Sequence, residues 1–376
     1  MTEIYLIRHA QAEGNRFRIM QGHWDGGVTR DGRQQIRLLE ERLRELAFSA
    51  VYASDLYRAC LTASAIYKPR GLRLHTDPAL REINIGPWEQ AFFGNLLHDE
   101  PNLARRFVED PETWMLPGAE SFQQVTERAY AALEAIARRH EGERVAVVSH
   151  GVTIRCLLCR ITGISLRDRE AMPIVRNTAV TVLRWDGERF SLALFNDDSH
   201  LGAMPRHSWG LSATLRHETL DPRRDREEYC ACYRDAWLAA HGDLRGFAPE
   251  PYWQAACAHL RQDSQSVLRL LDGDEPVGLV DLDPRRAANE GCGWLSLLYL
   301  RPEYRGKGFG IQALGRAIVP FRQAGRRGLR LVVAEENEPA RAFYEREGFR
   351  PIGQEEGFSG KLLLLERRLT ERRDDL

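Results

Sequence analysis

The sequence predicts an α/β protein built as two domains, and three observations carry that expectation. The first is length: 376 residues exceed what one hydrophobic core ordinarily organises. The second is a pair of apolar runs, Ile4-Tyr5-Leu6-Ile7 and Val145-Ala146-Val147-Val148. Each reads as a buried strand, and each leads to a histidine, His9 or His150. The third is the stretch Asp197 to Ser208, which carries Asp-Asp-Ser, Gly202 and Pro205 and reads as a linker. It sets the domains at residues 1–206 and 207–376.

Composition narrows the class. Apolar residues make up 43% and charged residues 28%, as in ordinary globular proteins. A formal net charge of -1 argues against a chain-wide nucleic-acid or membrane footprint. Lysine occurs only at Lys68, Lys307 and Lys361, so nearly all basic residues are arginine. The 7 scattered cysteines are odd in number, which points to reduced thiols and a cytoplasmic setting. Cys156 and Cys159, like Cys230 and Cys232, lack a partner pair or histidine cluster at zinc spacing, so apolar packing is expected of them and no metal. The opening residues show no signal-peptide pattern, and no apolar run reaches the length of a membrane span.

In the first half, Arg8-His9 follows the first strand directly. That places the pair at a strand's carboxyl end, where open α/β sheets put their sites. A polar, glycine-bearing loop from Gln11 to Val28 follows, with Asn15 and Gln21-Gly22. Thr29 reads as the N-cap of a helix reaching Leu46, with Ile36, Leu39, Leu43 and Leu46 facing the core. A strand at Ala50 to Ala53 ends in Ser54-Asp55, and a helix up to Pro69 carries Arg58 in its first turn. Glu82 stands among Leu80, Ile83 and Ile85, an apolar setting that disfavours a carboxylate charge. Residues 89–118, with Phe92, Phe93, Leu96, Leu97, Phe107 and Trp114, suggest a helical cap over a pocket. Trp24 and Trp88 are further aromatic candidates for that pocket. Then follow a helix from Gln123 to Arg139, the strand Arg144 to Ser149, a helix from Val152 to about Ile161, and a hairpin of Ala179 to Trp185 with Phe190 to Phe195.

These pieces together resemble the histidine phosphatase superfamily, also called phosphoglycerate-mutase-like. The carrying residues are Leu6-Ile7-Arg8-His9-Ala10 with Asn15, Ser54-Asp55-Leu56-Tyr57-Arg58-Ala59 with Thr62-Ala63, Leu80-Arg81-Glu82-Ile83-Asn84-Ile85-Gly86 with Trp88-Glu89, and Val147-Val148-Ser149-His150-Gly151. Ala10 departs from the glycine common in the family. The resemblance implies a three-layer α/β/α domain and a small-molecule phosphomonoester as substrate. His9 would be the nucleophile, and Arg8, Arg58 and His150 would surround the phosphoryl oxygens. Glu82 would exchange protons with the leaving group and water, while Asn15, Gln21 and Gly22 would bind substrate. A two-arginine clamp leaves no need for a metal. The short span between Glu82 and His150, aromatic instead of basic, favours hydrolysis over a mutase. The segment around Glu82 is similar to phosphatases such as α-ribazole phosphatase.

The second half reads as a strand at Ala213 to Thr219, helices at Asp225 to His241 and Pro251 to Gln262, and strands at Val267 to Leu271, Val277 to Leu282, Trp294 to Leu300 and Leu329 to Ala334. Tyr229, Tyr233, Ala236 and Trp237 form a stripe that reads as core. Residues 366–376 are mostly charged and read as a helical or frayed tail. Between the last two strands, Arg305-Gly306-Lys307-Gly308-Phe309-Gly310 opens an apolar helix. Such a turn presents backbone N–H groups to an anion. It matches neither a Walker A loop nor the dinucleotide fingerprint.

With Asn337-Glu338-Pro339-Ala340-Arg341-Ala342-Phe343-Tyr344, that loop resembles the GNAT acetyltransferases over about residues 210 to 370. The resemblance implies an α+β domain with a mixed sheet, acetyl-CoA as donor and an amine-bearing acceptor, small molecule or peptide. Residues 305 to 310 would hold the pyrophosphate, and Leu298 to Leu300 would pair with the pantetheine arm. Asn337 would line the cofactor side and Tyr344 would protonate the departing thiolate. Glu290, Glu335 and Glu336 all remain open as the base. The whole chain therefore reads as a bifunctional cytoplasmic enzyme with no nucleic acid or membrane partner, and a homodimer is carried as an option. One rival makes the second domain a non-catalytic acetyl-CoA-binding regulator. Another treats the halves as unrelated activities joined for co-expression.

Overall fold

The structure, a computed structural model, describes residues 1–204, 214–221, 223–357 and 360–369. The described residues form two compact units, the first reaching residue 204 and the second starting at 214, with Phe92–Asn95 grouped with the second. The boundary expected at 206/207 lies outside the described residues.

In the first unit the strands are β1 (Thr2–Arg8), β2 (Ala50–Ala53), β3 (Leu74–Thr76), β4 (Arg144–Ser149), β5 (Val180–Trp185) and β6 (Phe190–Asp197). They form one sheet in the order β3-β2-β4-β1-β5-β6. β3, β2, β4 and β1 run parallel, and the hairpin of β5 and β6 is antiparallel. The helices along this part of the chain are α1 (Glu13–Phe17), α2 (Arg30–Leu43), α3 (Tyr57–Arg70), α4 (Phe93–Asp99), α5 (Pro101–Glu109), α6 (Phe122–Arg139) and α7 (Gly151–Thr162).

Strand alternation divides the core into two faces. Ile4, Leu6, Val145 and Val147 pack with Leu133 and Ile136 of α6 and Ile154, Leu157 and Leu158 of α7. Ile7, Ala146 and Val148 pack with Leu39 and Leu43 of α2 and Ala59, Ala65 and Ile66 of α3. Helices on both faces make the expected three layers. Thr29 caps α2 by accepting from Gly32 N, as its sequence position suggested, but the helix ends at Leu43, short of Leu46. Ser121 and Gln124 form a reciprocal capping box that starts α6. Cys156 and Cys159 are buried in α7. Desolvation raises both thiols, Cys156 to about 12, which suits packing and not reactivity.

One register matters most for function. β1 and β4 are parallel neighbours with Arg8 opposite Ser149, so His9 and His150 leave the sheet side by side.

The second unit holds β7 (Arg216–Thr219), α8 (Arg226–His241), α9 (Pro249–Gln262), β8 (Val267–Asp272), β9 (Glu275–Asp283), β10 (Cys292–Leu300), α10 (Phe309–Gln323), β11 (Gly328–Ala334), α11 (Glu338–Arg346), β12 (Arg350–Gly357) and β13 (Gly360–Arg368). The sheet order is β12-β13-β11-β10-β9-β8-β7. Only β10 and β11 pair in parallel, so the sheet is mixed.

Two expectations are corrected here. The tail predicted from residue 366 is strand through Arg368, because Leu362 to Arg368 pair with β11. The hairpin of β12 and β13 was not expected at all. β12 is an exposed edge rich in Glu, Arg and Gly, without apolar alternation. Residues 370–376 lie outside the described residues, as does Ala213 of the expected strand.

Candidate active site

The end of the sheet where β1 and β4 terminate gathers five of the residues selected from sequence. The rings of His9 and His150 lie 5.1 Å apart between centroids. His9 is 4% exposed, His150 0%, Arg58 1% and Glu82 8%. His9 Nδ1 is 2.7 Å from the Ala10 carbonyl oxygen. A carbonyl only accepts, so Nδ1 carries the proton and Nε2 keeps its lone pair. The His9 backbone is held from the other side, since Asn177 Nδ2 donates to its carbonyl at 2.8 Å.

Both ring nitrogens of buried His150 lack a hydrogen-bond partner among the described residues, as do Arg8 Nε and Arg58 Nε. Burial, then the charges of Arg58 and Arg8, hold His9 well below the ordinary histidine range. His150 is depressed in the same way, first by burial. Burial also lowers Arg8 to about 10, against the opposing pull of Glu82. Two buried guanidiniums beside two neutral imidazoles make a site that favours an anion.

Arg58 is fixed by a relay through the loop at 22–24. Its Nη2 donates to Gly22 O at 2.7 Å and its Nη1 to Trp24 O at 3.0 Å, with Asp25 at 3.7 Å. The Glu89 carboxylate accepts from the N–H groups of Gly22 (3.2 Å), His23 (2.6 Å) and Trp24 (2.9 Å). A Cβ at Gly22 would stand 2.3 Å from Ile83 O. Gly22 is therefore a structural part of this relay and is not among the residues lining the cavity. Ala10, the departure from the family pattern, is accommodated: its methyl is buried in the core and its N–H donates to Thr62 Oγ1 at 2.8 Å.

Glu82 is not in the purely apolar setting its neighbours suggested. One oxygen accepts from Val152 N (3.1 Å). The other accepts from Thr153 N (3.0 Å), from Thr153 Oγ1 (3.1 Å) and from Ile83 N (3.2 Å). Val152 N and Thr153 N are first-turn N–H groups of α7, directly after His150. Arg128, which sequence reasoning passed over, donates to the carbonyls of Ala79, Arg81 and Glu82 at 2.7 to 2.9 Å and pairs with Glu120. It holds the whole Glu82 segment.

A cavity of about 90 Å³ lies here, lined among others by Arg8, His9, Asn15, Gln21 and Glu82. That is several times the ~10–15 Å³ one water needs. Arg58 and His150 stand behind this lining. Asn15 Oδ1 accepts from Ala12 N at 2.9 Å, which leaves its Nδ2 as a donor. Gln21 Nε2 is buried without a partner. Of the aromatic candidates only Phe107 lines the cavity; Trp88 and Trp114 are core, at 2% and 1% exposure.

The second unit carries a separate arrangement. β10 pairs with β11 only from Cys292 to Trp294. A register shift between Leu295 and Leu297 marks a bulge at Ser296, and beyond it β10 pairs with β9 alone, so among the described residues no strand pairs with the other edge of Leu298 to Leu300. The strand leads to Gly306 (φ 74°) and Gly308 (φ 82°), and Gly308 caps α10. Arg305 Nε donates to Leu300 O at 2.9 Å, and Lys307 Nζ lies 5.0 Å over the Tyr304 ring. Phe309 is buried and Gly310 follows it in the first turn of α10. Asn337 caps α11 by accepting from Ala340 N at 3.2 Å. Tyr344 is buried between Phe343 and Phe349, and burial raises its phenol.

Residues 4–198, more than half of the chain, match the histidine phosphatase superfamily (branch 1). The chain belongs to that superfamily. Residues 226–349 match the acetyltransferase (GNAT) family, so a GNAT domain follows in the same chain. The protein is thus an enzyme of two families, a phosphatase and an acetyltransferase. It is 32% identical over 208 residues to "Probable phosphoglycerate mutase GpmB" of Enterobacter sp. (strain 638), a match covering 54% of this chain and 96% of that one. The protein of the same name from Salmonella choleraesuis (strain SC-B67) is 30% identical over the same shares. The solved structure of YhfR from Bacillus stearothermophilus superposes with a TM-score of 0.52 at 33% identity, covering 54% of this chain and all of that one.

In the GNAT domain the structure also brings out a buried chain that no local signal announced. Tyr229 Oη donates to Asp281 at 2.8 Å, and His259 Nδ1 lies 2.7 Å from the other Asp281 oxygen, with Asp283 at 3.3 Å from Nε2. It ties α8 and α9 to β9. Burial raises Asp281, and although burial opposes it, the two carboxylates raise His259. Of the three open bases, Glu290 is paired with Arg330. No helix among the described residues is long and apolar enough to cross a membrane.

Proposed function

We propose that the chain is a bifunctional enzyme of two domains, residues 1–206 and 207–376. The first hydrolyses a small-molecule phosphomonoester through a phosphohistidine. The second transfers acetyl from acetyl-CoA to an amine-bearing acceptor. The observation that carries the first activity is the placement of His9: its Nδ1 lies 2.7 Å from the Ala10 carbonyl oxygen, which leaves Nε2 for a phosphoryl group, and the charges of Arg58 and Arg8 act on the ring. Nε2 attacks phosphorus, the ester P–O bond breaks, and the alkoxide takes a proton from Glu82. Water then attacks the phosphohistidine, gives a proton back to Glu82, and frees phosphate and His9. Arg8, Arg58 and His150 neutralise the equatorial oxygens throughout. Asn15 and Gln21 offer further amide donors.

A mutase is the second reading, favoured by the name of the GpmB relatives. A phosphoglycerate carries a second anion, and among the described residues Arg8 is the only lysine or arginine lining the cavity. Hydrolysis fits that lining better. Incubation with monophosphoglycerate separates the two: interconversion without phosphate release would establish the mutase.

The depressed His9 fixes a pH profile. A nucleophile must be neutral, and its protonation is lost only as pH rises through its own pKa. Because that pKa lies well below 6.5, kcat/KM should stay flat as pH falls past 6.5, with its acid limb further down. An acid limb centred at 6.5 or above would contradict the assignment.

For the second activity, acetyl-CoA supplies the acyl group. The residues present fit it: Gly306 and Gly308 adopt backbone angles suited to glycine, space around both is open, and α10 begins there. N–H groups from Arg305 to Gly310 would hold the pyrophosphate, and the free edge of Leu298 to Leu300 would pair with the pantetheine. Asn337 orders the start of α11, which carries Tyr344, and Tyr344 holds its proton at Oη for the thiolate. Gly308→Val should weaken acetyl-CoA binding by about tenfold or more, since a left-handed L-residue costs roughly 1–2 kcal/mol and its side chain fills the cradle. Calorimetric titration with acetyl-CoA reads this directly. A reducing cytoplasm suits the free thiols, and homodimer formation stays part of the proposal for light scattering to decide.

A further inference from the structure

The cavity beside His9 has two chemically different walls. The polar wall is the one already assigned to phosphoryl transfer. The rest of the lining is largely apolar, and its side chains arrive from four separate places in the fold. Ile19 and Met20 follow α1, Ile83 and Ile85 follow Glu82, Phe107 comes from α5, and Ile174 comes from the connection between α7 and β5. Ile19, Met20, Ile83 and Ile85 are each no more than 3% exposed. Phe107 is set by edge contacts with Trp88, Trp114 and Phe122 at 5.0 to 6.0 Å. The wall is therefore preformed.

We propose that the substrate is the phosphomonoester of a short, apolar and uncharged alcohol, seated against Ile19, Met20, Ile83, Ile85, Phe107 and Ile174. The proposal rests on the hydrolytic reading of His9 and adds the identity of the group that leaves. A carboxylate or second phosphate on that group would meet this wall with no cation to pair it, because the phosphoryl group occupies Arg8. An unpaired buried anion is strongly disfavoured. One neutral acceptor is accommodated, since Gln21 Nε2 is buried without a hydrogen-bond partner among the described residues. Gly14 lets that amide sit close: a Cβ on Gly14 would fall 2.3 Å from Gln21 Oε1.

The test is equilibrium binding of two non-hydrolysable phosphonates of equal length to the full chain, butylphosphonate and carboxyethylphosphonate. Butylphosphonate should bind about tenfold tighter or more, at roughly fourfold per buried methylene. Phe107→Ser should shrink that ratio and Phe107→Leu should largely keep it; if the serine variant does not fold, the wild-type ratio and the leucine variant decide. Equal binding, or tighter binding of the carboxylate, overturns the proposal. Hydrolysis of butyl phosphate, measured alongside, separates the two claims. Discrimination without hydrolysis would refute the reading of His9 and leave the wall standing. Hydrolysis without discrimination would do the reverse.

Discussion

His9→Ala removes phosphate release from every phosphomonoester tried, by on the order of 10⁴–10⁶, while acetyl-CoA still binds the same chain. The loss is large because nothing else near the cavity can replace the Nε2 lone pair. His150 is equally neutral, but it is fully buried and stands behind the lining. Rapid acid-free quenching with labelled substrate should leave label on wild-type protein and none on the variant. Activity surviving near the wild-type rate would refute the nucleophile assignment. Loss of acetyl-CoA binding would show instead that the substitution damaged the chain as a whole.

Glu82→Gln should lower turnover of alkyl phosphates by about 10²–10⁴, the usual worth of a general acid, and that of an aryl phosphate by less. An aryloxide leaves without needing a proton. The substitution has a second effect that follows from the surroundings. The amide keeps one acceptor, but its NH₂ group then faces an N–H donor of α7. Thermal stability should fall as well, by about 1–3 kcal/mol for an unsatisfied buried group. The ratio of alkyl to aryl rates is therefore the diagnostic quantity, because a purely structural loss would depress both alike.

Much of this arrangement was legible in the sequence for a local reason. Arg8, His9 and His150 sit where apolar strands end, and Arg58 sits in a helix's first turn; periodicity placed those elements, and the family resemblance picked out the residues. Their convergence comes from parallel pairing of β1 with β4, which sequence cannot display. Glu82 was found, but its environment was misjudged, because its partners come from residues about 70 positions later. Arg128 escaped notice altogether, and Glu89 was named within its motif without a role. Each works through backbone groups distant in sequence, and neither interrupts the pattern of its own segment. Among strands, β3 was lost because Leu74, His75 and Thr76 are half-exposed or exposed. β12 and β13 were lost because Arg350 to Gly357 reads as polar surface. Gly22, selected for substrate contact, also holds Arg58 through its carbonyl, a partner its own segment does not announce.

The union of Glu82 with the opening turn of α7 makes one hinge-free block of the acid, His150 and the helix. If Glu82 carries the shuttled proton, each turnover briefly weakens the grip on that turn and then restores it. Alterations far along α7 could in that way retune the chemistry without coming near the reacting atoms.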